Sequence, residues 1–280
     1  MFHDWLKKLR SKSNNAPSKQ LYSIDRPDES REYLQAWSMT GKHLQSLFNR
    51  YNHLLENPYI GFCWMRSEII SPTFDSMNFR YKNRAFSILI DFVSEVSSSP
   101  TDMQRKRWRQ LMSHIPEGAK SLQISVCESN DMIPCIFPIR EDDMSPLSSD
   151  WNLYDTRTGK KINPTDVADD SPRRISEWEL LNFGISVVRN HLRDRGYHVL
   201  SYTDAPGIIP QLWFEDEHGN KNWVQVIVNR PMEITDLSST VANEYKGYIA
   251  GVSILPTDGE KVLYRSNPAE IEFKGLQVVT

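Results

Sequence analysis

The order of apolar and polar positions predicts a series of elements in the C-terminal half of the chain. Ser176 and Glu179 form the S-x-x-E pattern of a helix N-cap, and apolar residues then recur at three- and four-residue spacing until Gly196. We therefore predict a helix over 177–195. Strand-like runs follow in YHVLSYT, QLWFE and NWVQVIV, and the polar turn DEHGNK separates the last two. DLSSTVANEYK predicts a short helix, GYIAGVSIL a strand, and VLYRS a further strand candidate.

The N-terminal half shows a similar series. Helical spacing of aromatic and leucine residues predicts a helix over 31–56, which Pro58 stops. The apolar runs YIGFCWM, MNFRY and RAFSILIDFV predict strands, with YKNR as a hairpin turn between the last two. DMQRKRWRQLMSH predicts a second helix, and KSLQISVCE and MIPCIFPI are strand candidates.

Both series predict an α+β protein built from α/β-like units, with mixed sheets flanked by helices. The order αβββαβ occurs in residues 176–255 and again in residues 31–138, which favours two similar units in tandem. A chance repetition of a common order is the alternative. The expected organisation is a basic tail and linker over 1–29, a first unit over 30–150 and a second over 151–280.

Composition narrows the class of protein. The 280 residues include 39% hydrophobic and 11% aromatic residues, enough for a substantial core. The net charge of −3 provides no overall basic field for nucleic acid or acidic lipid. No apolar run reaches the length of a membrane helix, and the N-terminal 1–12 segment lacks the apolar core of a secretory signal. With three cysteines and no C-x-x-C pair, we expect a cytoplasmic protein with free, buried thiols.

The tail over 1–12 has Phe2, Trp5, Leu6 and Leu9 on one side of a short basic helix. This pattern is compatible with a weak anchor to a membrane surface or a partner. We favour a frayed tail that docks on its own domain, because one short helix with four cations anchors weakly.

The hairpin at 210–228 has the spacing of a known active site with other residues in it. Pro210 and Gln211 precede the first strand, and Gln225 and Ile227 lie on the second. The αβββαβ order with this hairpin resembles the PD-(D/E)xK restriction-endonuclease-like fold. In that family an Asp and an acid-x-Lys hold a divalent metal and orient the attacking water. The resemblance places Gln211 on the Asp, Gln225 on the acid and Ile227 on the Lys.

Neither Gln nor Ile supplies the charge that this metal chemistry needs. The resemblance therefore implies a degenerate, non-catalytic module, without cofactor or metal, that binds or scaffolds a protein partner. An alternative is a metal-dependent nuclease with relocated groups at Glu179, Glu215 and Lys221. Against it, charged turn residues and helix-capping acids are common on solvated surfaces.

Two further groups are candidates for binding. Arg105, Arg107 and Arg109 surround Trp108 on the helix predicted for 102–114, a combination that neutralises phosphates and stacks on bases. This pattern keeps a nucleic-acid-binding function open. Trp213 and Trp223 face each other across the hairpin and could form an aromatic surface, although ordinary cross-strand core packing is the favoured explanation.

Overall fold

The structure is a computed structural model that describes residues 31–55, 60–66, 77–93, 117–204, 208–231, 244–257, 259–265 and 267–279. These residues form helices α1 (Arg31–Asn52), α2 (Glu117–Ser129), α3 (Pro164–Val167) and α4 (Glu177–Asp194). The strands of the first sheet are β1 (Cys63–Arg66), β2 (Met77–Tyr81), β3 (Arg84–Val93), β4 (Met132–Arg140), β5 (Leu153–Asp155) and β6 (Lys161–Ile162). Those of the second sheet are β7 (His198–Tyr202), β8 (Leu212–Glu215), β9 (Lys221–Val228), β10 (Lys246–Pro256) and β11 (Ala269–Val278).

The first five strands of the first sheet have the same topology as the five strands of the second. In the first, the order is β1-β2-β3-β4-β5-β6, and only β3 and β4 are parallel. In the second, the order is β7-β8-β9-β10-β11, and only β9 and β10 are parallel. Each half of the chain therefore contains a helix, three antiparallel strands, a parallel fourth strand and an antiparallel fifth. The predicted α+β class with mixed sheets and flanking helices is confirmed.

The first sheet continues past residue 150, where the sequence suggested a boundary between units. The β5–β6 hairpin pairs through Leu153 with Ile162, and β5 joins β4 through Cys135 and Asp155. These strands have three and two residues, so they carry too few apolar positions for a strand pattern to be recognised.

Helix α1 covers one face of the first sheet with a single buried stripe. Its inward residues recur with helical spacing: Ala36, Trp37, Thr40, Leu44, Leu47 and Phe48. They pack against alternate residues of the strands, among them Phe79, Phe86 and Phe137. Phe79 and Phe86 are cross-strand partners whose rings stack with centroids 4.7 Å apart. The helix predicted for 31–56 is thus confirmed, with its end at Asn52.

Helix α4 covers the second sheet in the same way. Ser176 accepts from the N–H of Glu179, whose side chain accepts from the N–H of Ser176, so the predicted capping box is present. The helix ends at Asp194, and Gly196 follows with φ of +79°. Val188 and Leu192 pack on Val224 and Val226 of β9.

Some sequence expectations were wrong. KSLQISVCE lies in helix α2, because its buried residues are Lys120, Gln123 and Cys127, spaced three and four apart. The described part of VLYRS, residues 262–265, forms no strand: Tyr264 makes one isolated bridge to Arg174, and the fifth strand of the sheet is β11.

Cys63 is exposed, contrary to expectation, whereas Cys127 and Cys135 are buried as expected. None of the described helices is long and apolar enough to span a bilayer.

Three predicted segments lie outside the described residues. They are the tail and linker over 1–29, the helix over 102–114 with Arg105, Arg107, Trp108 and Arg109, and most of the helix in DLSSTVANEYK.

Candidate binding cleft

A cleft of about 850 Å³ opens where the two halves of the chain meet, and we call it the junction cleft. The end of α2 and the first turns of α4 form one wall. The other consists of the segment before β8 and the second half of β9. Its lining residues are Ser129, Asn130, Glu177, Trp178, Leu180, Leu181, Ile209, Gln211, Gln225, Val226, Ile227, Val228, Asn229, Arg230 and Pro231. All three positions that the resemblance aligned with the nuclease motif, Gln211, Gln225 and Ile227, thus lie in one cleft.

Trp178 joins the two halves beside this cleft. It is the second residue of α4, yet its indole packs in a cluster with Met65, Ala85, Cys127 and Met132 of the first half. A buried tryptophan removes a large apolar surface from water, so this contact stabilises the arrangement of the two sheets around the cleft.

Arg265 forms a second, polar connection between the halves. Its guanidinium is fully buried and contacts the equally buried Glu179 carboxylate, with Nη2–Oε2 and Nε–Oε1 distances of 2.8 and 2.9 Å. The same guanidinium donates to the carbonyls of Asn130 and Asp131 at 2.6 and 2.7 Å. Because Glu179 also accepts from the N–H of Ser176, its carboxylate is already occupied by donors.

The other residues of the alternative nuclease site lie elsewhere. Glu215 at the end of β8 contacts His198 Nδ1 at 3.3 Å, and its cross-strand partner is Lys221. Among the described residues, no three His, Cys, Asp or Glu side chains come together in a way that could hold a metal ion.

Gln211 completes the edge of strand β9. Its Oε1 accepts from the N–H of Val226 at 2.9 Å, and its Nε2 donates to the carbonyl of Ile208 at 3.0 Å. Its main-chain N–H donates to Val224 and its carbonyl accepts from Thr203. The side-chain amide therefore occupies the position that a main-chain peptide group would take in a neighbouring strand. A carboxylate here would lack the donor for Ile208.

Gln225 and Ile227 lie on the face of β9 directed away from α4. Gln225 is 4% exposed and stands between Trp223 and Ile227 on that face, while Val224 and Val226 pack under α4. Strand β9 is the central strand of its sheet. The predicted arrangement, a polar residue in an apolar row of a central strand, is confirmed.

The end of the cleft is polar and accessible. Asn229 caps β9 by exchanging two hydrogen bonds with the main chain of Ile254, at 2.7 and 2.8 Å. Arg230 contacts Glu177 at 3.1 Å, and both side chains are largely exposed. This pair belongs to the rim, in contrast to the buried Arg265–Glu179 pair, whose acid is only two residues further along α4.

Trp213 and Trp223 are not an exposed aromatic surface. They are cross-strand partners, 2% and 0% exposed, and they pack with Ile208. Trp223 also lies against Gly247, where a Cβ atom would come within 2.0 Å of the indole. Core packing therefore accounts for both residues.

Sequence reasoning missed the residues that build the junction. Trp178 sits within a helix whose start was predicted, but nothing in the local pattern shows that it enters the other half of the chain. Arg265 lies between two strands in a segment without a motif, so its partners depend wholly on long-range folding.

Comparison with known proteins adds a single match. A family model described as "Domain of unknown function (DUF8840)" matches residues 178–279, the span from α4 to the end of β11. No curated protein and no solved structure matches the chain. The match therefore coincides with the second sheet and its helix and carries no activity with it.

Proposed function

We propose that this chain is a non-catalytic binding module that holds a protein partner in the junction cleft. The observation that carries the proposal is the use of Gln211. Its amide is committed to the edge of β9 and to Ile208, so the position matching the family's catalytic Asp serves the shape of the cleft. The resemblance to the PD-(D/E)xK fold is part of this proposal.

The chemistry of the cleft supports binding over catalysis. Its inner surface combines neutral amides, such as Gln225, with apolar side chains, such as Leu181 and Ile227. Binding sites have this composition, with a few polar groups fixing orientation within an apolar lining. Glu177, the acid that lines the cleft, contacts Arg230 at the rim, and the buried Glu179 is neutralised by Arg265.

A nuclease assay tests the absence of catalysis. We expect the purified chain to leave DNA and RNA intact in Mg²⁺ or Mn²⁺. Metal-dependent cleavage that disappears in Glu215→Ala would contradict the proposal and support the relocated nuclease site.

Site-specific crosslinking tests the binding role. A photoreactive amino acid replaces the exposed Arg230 at the cleft rim, with the exposed Lys160, in the β5–β6 turn, as the matched control position. In cells of the source organism, we expect a discrete crosslinked protein from position 230 alone. A bulky Ile227→Trp substitution should remove that product without lowering the unfolding temperature. A product that persists with the cleft filled, or no product at position 230, would contradict the proposal.

A further inference from the structure

The cleft contains a length of strand edge that is unpaired in the described parts of the chain. Strand β9 pairs with β10 through Asn222–Val228, but with β8 only through Lys221–Val224. Beyond Val224, therefore, β9 has a neighbouring strand on one side only among the described residues. The open side faces the junction cleft, which Val226 and Val228 line.

The direction of the main-chain groups follows from the bonds already present. The carbonyl of Val224 accepts from Gln211, and the N–H of Val226 donates to Gln211, so these residues direct their peptide groups toward β8. The N–H of Asn229 instead donates to Val252 of β10. Because peptide groups alternate sides along a strand, the N–H and C=O of Val228 and the C=O of Val226 point into the cleft.

Gln211 shows that this strand edge binds a carbonyl oxygen opposite the N–H of Val226. Its side-chain amide supplies the carbonyl oxygen that a partner strand would place opposite the N–H of Val226. The next groups along the same edge have the spacing of a strand ladder, and an extended peptide satisfies such groups by adding as a strand.

We propose that the ligand of the junction cleft is an extended peptide segment of the partner, which adds to β9 as an antiparallel strand in continuation of β8. The inference rests on the proposed binding function and names its ligand class. Apolar side chains on one face of the peptide would lie toward Leu180 and Leu181 of α4. The opposite face would lie toward Gln225 and Ile227.

The other long strand edge does not compete as a site. Strand β11 is also an outer strand, but Glu270, Glu272 and Lys274 lie along it and its pairing with β10 is irregular between Ala250 and Val252. Charged side chains and irregular pairing are the devices that protect outer strands against addition. The edge in the cleft has neither feature between Gln225 and Val228.

Antiparallel addition makes a specific demand on the peptide. In the β8–β9 pair, Leu212 and Val224 lie opposite each other, and both side chains face α4. A peptide that continues β8 would have the same geometry. Its residues with side chains facing α4 would therefore direct their main-chain amides toward β9. A parallel peptide would use the other set.

The test uses the wild-type chain labelled with ¹⁵N-valine and an acetylated, amidated peptide of alternating threonine and valine, six residues long. We expect the Val228 amide signal to shift on titration up to roughly 2 mM peptide, while the Val188 signal in α4 stays in place. N-methylation of the valine amides should weaken binding at least tenfold. The valine side chains would face α4, so the valine amides would be the ones directed toward β9. N-methylation of the threonine amides should leave it unchanged.

The outcomes separate the two proposals. Binding that tolerates methylated valines, or no shift at Val228, would overturn strand addition. If the crosslink from position 230 persists in either case, the binding function stands without this ligand class. If that crosslink is also missing, both proposals fail.

Discussion

Breaking the buried Arg265–Glu179 pair should cost a large part of the stability of the junction. In Arg265→Met, the Glu179 carboxylate loses its guanidinium while both positions remain out of water. Removing one partner of a buried ion pair costs about 3–5 kcal/mol, because an uncompensated charge remains. The carbonyls of Asn130 and Asp131 also lose their donor, so we expect a loss near the upper end of that range.

A double-mutant cycle separates the ion pair from the loss of packing. Glu179→Gln keeps an acceptor for the N–H of Ser176 but removes the charge, and it should also destabilise the chain, because Arg265 then keeps only carbonyl partners and Asp131 at 3.5 Å. In the double variant both charges are absent. We therefore expect the two effects to fall short of additivity by about 2 kcal/mol or more.

Urea unfolding followed by tryptophan fluorescence measures each free energy of unfolding. The matched control is the exposed pair Arg230–Glu177, whose acid lies on the same helix as Glu179 and whose charged atoms are 3.1 Å apart. Arg230→Met should change stability by about 1 kcal/mol or less, since exposed pairs contribute little. An Arg265→Met chain that is as stable as the Arg230→Met chain, or two strictly additive single effects, would refute the role assigned to the buried pair.

Burial raises the pKa of Asp91, on β3, to about 8, with Lys120 opposing and Glu141 reinforcing the shift. Because the folded chain holds this proton above the ordinary carboxyl pKa, stability should fall as the pH rises from about 4 to 8. We therefore expect Asp91→Asn to raise the unfolding temperature above that of wild type, and to raise it more at pH 8 than at pH 5. The exposed Asp170→Asn is the control, in which we expect no such difference. An equal gain for Asp91→Asn at both pH values would contradict this. Gly247→Ala should lower the free energy of unfolding by about 2 kcal/mol or more, because the new Cβ meets the Trp223 indole. Gly41→Ala, in helix α1 with its nearest such contact at 3.8 Å, should instead raise it by up to about 1 kcal/mol, and equal signs in urea unfolding would disprove the packing argument.

The sequence by itself determined the elements whose signals are local. The capping box at Ser176 and Glu179 and the hairpin turn at Lys82 and Asn83 need only neighbouring residues, and both occur where predicted. The alternation on β9 likewise placed Gln225 on the face opposite to Val224. These signals arise from backbone donors and from the periodic spacing of apolar side chains within one element. They can therefore be recognised in the sequence without knowledge of the fold.

Tertiary structure decided everything that depends on contacts between distant residues. Helix α2 resembled a strand because Leu122, Ile124 and Val126 alternate, whereas its inward positions include polar Gln123, which donates to the carbonyls of Ser87 and Cys135. No periodicity can indicate that a buried amide will find such partners.

The candidate site, too, was only partly predictable from the sequence. The sequence aligned Gln211, Gln225 and Ile227 with the positions of one motif, and the fold places all three residues in one cleft. Only the fold showed that Gln211 completes a strand edge, that Arg265 neutralises Glu179 and that Trp178 anchors the opposite half. Each of these roles depends on a partner far along the chain or on the end of the β8–β9 pairing at Val224. Neither feature produces a pattern in the neighbouring sequence.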